Sequence, residues 1–91
     1  MGTFHHDTSP LHGITVVVET RSGEVWVGRC HDEDETRVLL LDADVHRPDA
    51  AAPDRAEWLG RAARFGVFPK HRQVVVPRAE VASLTRLGEL A

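Results

Sequence analysis

Several groups of side chains have types and spacings that bear on chemistry. Cys30, His31 and Asp32 place a thiol, an imidazole and a carboxylate in succession, the ingredients of nucleophilic catalysis. Neighbours along a strand project to opposite faces, so Cys30 and His31 diverge rather than hydrogen-bond, and Cys30 reads as a packed core thiol. From His31 to Glu35 the chain carries Asp32, Glu33, Asp34 and Glu35 in a row, oxygen ligands for a cation. This run lacks the alternating acidic spacing and turn glycine of a calcium loop and is expected to be a solvated loop. His5, His6 and Asp7 are metal-ligand types, but adjacent histidines near a chain start are expected to be solvated. Neither a phosphate-cradling glycine pattern nor paired catalytic carboxylates occur. The expectation is a non-enzymatic protein without metal or cofactor.

The remaining group is cationic. Residues 55–72 hold Arg55, Arg61, Arg64, Lys70 and Arg72 against Glu57 alone, a local charge of +4 that leaves −7 for the rest of a chain whose net charge is −3. Such a face attracts phosphate backbones, or simply balances an otherwise acidic surface. The molecule as a whole is not drawn to nucleic acid or to an anionic membrane.

Ninety-one residues make a single core, and a composition of 42% hydrophobic and 27% charged residues is that of a globular domain. The longest uninterrupted apolar run, Val38–Leu41, is far too short to span a bilayer. Met1–Asp7 lacks the basic start and apolar block of a signal peptide. The single cysteine excludes an internal disulfide, and a cytoplasmic location is expected.

The elements that position these groups read mainly as strands. Residues 1–13 show no periodicity and are expected to be loose, with the domain proper at 14–91. Strands are expected at Ile14–Thr20, which is dense in β-branched residues, and at Glu24–His31 and Arg37–Val45. A turn at Ser22-Gly23 joins the first pair, with Gly23 free to take a positive φ. Gly28 inside the second strand implies a strong bend or a close backbone approach. The third strand begins apolar on both faces, as does Val74–Val76, so the chain's own helix or another subunit must cover the second face. That helix is expected at about 54–65, within an insertion spanning 46–72. Asp54 and Glu57 form a capping-box pattern, Trp58, Leu59, Ala62 and Phe65 make an apolar stripe, and Gly66 supplies the stop. Trp58, Leu59, Phe65 and Phe68 are expected to bury and dock it. Pro77 marks a strand end, and a last strand is expected at Glu80–Arg86.

Five short, strongly bent strands suggest a small SH3-like barrel. The residues then resemble the Sm-like family, which includes the bacterial Hfq proteins. Its first motif is matched by Val16, Val18, Gly23, Trp26, Gly28, Asp34 and Leu39–Leu41, and its second, two short strands around a sharp bend, by Val74–Val81. The resemblance covers about half of the chain. It implies a five-stranded Sm-like barrel with one inserted α-helix, and a base-binding pocket built from an aspartate, an asparagine and an arginine-glycine pair. Asp34 matches the aspartate. Val38, or Arg37 in a register shifted by one, stands at the asparagine position, and Pro77-Arg78 replaces the arginine-glycine pair. The Lys70-His71 pair lies before the strand rather than at the bend. The family's N-terminal helix is absent, the helix lying instead between the third and fourth strands.

Two readings follow. In the first, the protein is an interaction module that forms a homo-oligomer, or contacts another protein, through strand edges and the apolar second face. In the alternative it binds RNA or single-stranded nucleic acid, with Arg55, Arg61, Arg64, Lys70, Arg72, Asp34 and Arg78 as the candidate residues. No membrane partner is expected.

Overall fold

The structure, a computed structural model, describes residues 10–49 and 54–90, with the backbone alone for Leu90. His5, His6 and Asp7 lie outside the described residues. Strands β1 (Thr15–Thr20), β2 (Val25–Glu33) and β3 (Arg37–His46) are followed by helix α1 (Arg55–Phe65) and strands β4 (His71–Pro77) and β5 (Val81–Arg86). The strands form one antiparallel sheet in the order β4-β3-β2-β1-β5. This is the expected mainly-β, five-stranded, strongly bent small barrel with one inserted helix. β2 runs on through Glu33, past the expected end at His31, and shortens the acidic loop to a turn.

The bend is built where β2 passes β3. Their register slips between Val27 and Arg29 and again between Cys30 and Asp32, the mark of β-bulges that curl a sheet. At the first slip a Cβ on Gly28 would stand 2.7 Å from the Ala43 Cβ and 3.0 Å from its Cα, so only glycine admits this approach. Beside it Asp42 takes a left-handed φ of 53°, which aspartate tolerates better than most residues, and its carboxylate accepts a hydrogen bond from Arg29 at 3.0 Å.

Period-two alternation separates two cores. Val16, Val18, Cys30, Val38, Leu40, Ala43 and Val76 fill the barrel interior, with Trp26, Val74, Val81 and Leu84 around them. The Trp26 ring meets His71 edge-on at 5.2 Å, tying β2 to the start of β4. On the opposite face Val17, Val25, Val27 and Leu87 pack against Ala62, with Trp58, Leu59, Ala63 and Val67 around them. The helix therefore covers β1 and β2. Leu39 and Val75 stand directly opposite each other on β3 and β4, where Leu39 is only half-buried and Val75 is 49% exposed.

Asp54 caps α1 by accepting a hydrogen bond from the Glu57 backbone N–H at 2.8 Å, while the Glu57 carboxylate takes Arg61 one turn on. Gly66, at φ 88°, ends the helix and donates to the Ala62 carbonyl. One expectation fails here: Phe65 is 81% and Phe68 74% exposed. Gly66 redirects the chain so that Val67, rather than either phenylalanine, completes the apolar cluster under the helix. Gly60 has open space around its Cα. Gly60→Ala is expected to stabilise the fold by about 1 kcal/mol through helix propensity. Thermal unfolding followed by circular dichroism should then show a Tm roughly 4–8 °C higher.

Candidate functional site

Cys30 is fully buried within the barrel, out of reach of a substrate, which removes the thiol chemistry suggested by Cys30, His31 and Asp32. Among the described residues no three His, Cys, Asp or Glu side chains converge as metal ligands.

The fold divides the candidate nucleic-acid residues among three places. Asp34 and Arg78 meet at the turn between β2 and β3. The Asp34 carboxylate accepts hydrogen bonds from the Thr36 N–H and hydroxyl at 2.8 Å each and from the Arg37 N–H at 3.0 Å. Arg78 donates to the Asp34 carbonyl at 3.0 Å and to the Glu33 carboxylate at 2.8 Å, and its own N–H reaches the Thr36 carbonyl. Both side chains thus clamp the turn. The Thr36 and Arg37 hydrogen bonds hold the Asp34 carboxyl below its ordinary value of 3.8. A carboxyl lowered in the folded state stabilises above its unfolded pKa, and that contribution is lost as pH falls through the folded pKa. Asp34→Ala should therefore lower the urea midpoint at neutral pH, and its difference from the wild type should shrink at about pH 2.

The helix carries the second group. Arg55 pairs with Glu19, and Arg61 with Glu57 at 2.9 Å, while Arg64 has no ion-pair partner among the described residues. Lys70 and Arg72, also without ion-pair partners among the described residues, form the third group at the start of β4. Lys70 is anchored by its backbone N–H to the Ala43 carbonyl at 3.0 Å.

One member of each of these two groups, Arg61 and Lys70, lines a cleft of about 420 Å³ between α1 and the end of β3, with His46, Arg47, Trp58 and Phe68; Arg55, Arg64 and Arg72 lie outside it. The Trp58 indole N–H donates to the Asp44 carboxylate at 3.2 Å, and its ring lies 5.5 Å from that of His46. These aromatic walls were not foreseen as site residues. The available signal is the placing of Phe68 two residues before Lys70.

At the opposite edges of the sheet, β4 pairs only with β3 and β5 only with β1 among the described residues, which leave each with an unpaired backbone edge. None of the described helices is long and apolar enough to cross a membrane.

No family model matches the chain, and no curated protein sequence does. Among solved structures, it resembles an Sm protein of Pyrococcus abyssii in complex with a uridine heptamer, with a TM-score of 0.58 and 17% identity over 84% of this chain and 86% of the other. It also resembles a chain of the NatC complex bound to CoA, with a TM-score of 0.58 and 19% identity over the whole of both chains. At these identities the likeness concerns architecture: this chain folds as a small bent barrel of the kind seen in an archaeal Sm protein.

Proposed function

We propose that this protein is a non-enzymatic interaction module that associates with copies of itself through its sheet edges and the apolar face beside β4. The observation that carries this reading is the pairing pattern: β4 and β5 lie at opposite ends of one curved sheet, each with an edge that no described strand pairs. An edge left free is a template for another strand. Pairing β4 of one copy with β5 of the next is a heterologous contact, which closes into a ring when the rotation between copies permits. Leu39 and Val75 add an apolar surface next to the β4 edge that α1 does not cover. Membership of a multi-chain complex by the second structural neighbour is consistent with a barrel that works through protein contacts. Two coexpressed copies carrying different affinity tags should co-purify through either tag, and their failure to do so would refute the reading.

A second reading is favoured by a separate observation. The Sm neighbour holds a uridine heptamer, and here Arg64, Lys70 and Arg72 have no ion-pair partners among the described residues. Cations in that state can neutralise phosphates at no cost to an existing pair. Asp34 and Arg78, engaged in clamping their turn, would contribute little. Mixed single-stranded RNA at low salt should bind with an affinity that falls as salt rises, and an absence of binding there would sink this alternative.

A further inference from the structure

We propose that the cleft between α1 and the end of β3 is a nucleotide-binding pocket, holding a planar base against Trp58 and Phe68 and its phosphate on Lys70 and Arg61. The ligand class rests on the nucleic-acid reading; the location does not. Asp34 and Arg78 sit by the start of β3, whereas Asp44, His46 and Arg47 line the cleft at its other end.

The cleft volume of about 420 Å³ falls within the range of small-ligand sites. Its walls combine the two features that a nucleotide needs. Aromatic faces are supplied by Trp58, Phe68 and His46, and positive charge by Arg47, Arg61 and Lys70, against Asp44 as the single carboxylate among the described lining residues. Asp44 is already committed to the Trp58 indole N–H, and the His46 ring lies against Trp58, so this face is held in place before any ligand arrives. Phe68 is 74% exposed and belongs to neither hydrophobic cluster of the described residues. An aromatic so placed beside cations is the arrangement that stacks bases along a single strand.

The charges are available as well. Lys70 has its backbone fixed to β3 and its ammonium without an ion-pair partner among the described residues. Among the described residues Arg61 pairs only with Glu57 one helical turn away, an exposed pair that contributes little and is readily exchanged for a phosphate. Arg47 pairs with Glu24 at the rim. A purely apolar peptide would leave this charge unused.

The test titrates the full chain with UMP and AMP and with oligouridine and oligoadenosine, reading the two indole N–H signals by NMR and affinity by calorimetry. A nucleotide in the cleft moves the signal of Trp58, which lines it, more than that of Trp26, whose ring packs against His71 and the barrel interior. Phe68→Ala and Lys70→Glu, both at exposed positions, should each weaken binding about tenfold. Binding of the mononucleotides alone supports the cleft as a free-nucleotide site and removes the nucleic-acid reading. Stronger binding of the oligonucleotides, with the same two variants impaired, supports it as one subsite for a single strand. Oligonucleotide binding that falls with Arg64→Glu and Arg72→Glu but ignores Phe68→Ala and Lys70→Glu overturns the pocket while the nucleic-acid reading survives. No binding of any probe at millimolar concentration overturns it too, as does a change of oligomer mass in Phe68→Ala without nucleotide binding, which would assign the cleft to a protein contact.

Discussion

Gly28→Val is expected to destabilise the protein by about 3 kcal/mol. The first added atom alone would stand 2.7 Å from the Ala43 Cβ, 3.0 Å from the Ala43 Cα and 3.2 Å from the Leu41 carbonyl oxygen. Two of these are backbone atoms of β3, so no side-chain rotation relieves the overlap. β3 cannot retreat freely, because β4 is paired along its other edge from Arg37 to Ala43. The site also coincides with the slip in register that bends the sheet, so the substitution opposes the closure of the barrel itself. For a domain of this size the expected fall in Tm is roughly 12–24 °C, measured by circular dichroism. Gly28→Ala combined with Ala43→Gly should recover part of the loss, because the shortest contact is between the two Cβ positions; such neighbours do not act additively. A Tm within a few degrees of the wild type would mean that the strands are not held in close approach at this point.

Val75→Lys is expected to weaken association between copies by about 100-fold while leaving the fold intact. Val75 is 49% exposed on an edge strand, so a lysine there reaches solvent in the isolated chain. In an assembly joined through β4, the same ammonium is enclosed beside Leu39 without a partner. Burying an unpaired charge costs several kcal/mol, and about 3 kcal/mol corresponds to a 100-fold change in affinity. Edge lysines are also a device by which natural sheets resist pairing. Sedimentation velocity should show a smaller species for the variant, with an unchanged circular dichroism spectrum. An unchanged sedimentation coefficient in an assembled wild type would place the contact elsewhere.

The parts of the fold that depend on local rules were legible in the residues. Val16, Val17 and Val18 alternate between the two cores because side chains on a strand alternate, and Gly28 marked the close approach because nothing larger fits there. Asp54 and Gly66 bounded the helix by capping chemistry, which is also local. Phe65 and Phe68 were misjudged for a physical reason. The stripe Trp58, Leu59, Ala62 and Phe65 identifies the face of a helix but not where the sheet beneath it ends, and here the cluster closes on Val67. The pairing of Arg78 with Glu33 joins residues 45 apart, and spacing along a strand carries no trace of it. Asp34 was placed by resemblance, yet its three hydrogen bonds to Thr36 and Arg37 give it a turn-capping role. The cleft was hidden for a related reason: it exists only once α1 has docked over β1 and β2 with Lys70 tied to Ala43.

Self-association through two free edges is the claim on which the functional account depends. Its most direct test is the mass of the purified chain in solution by multi-angle light scattering, over a dilution series through the micromolar range. Self-association gives a discrete multiple of the 10.1 kDa chain mass that persists through the series and is lost in Val75→Lys. A mass of one chain at every concentration would contradict it.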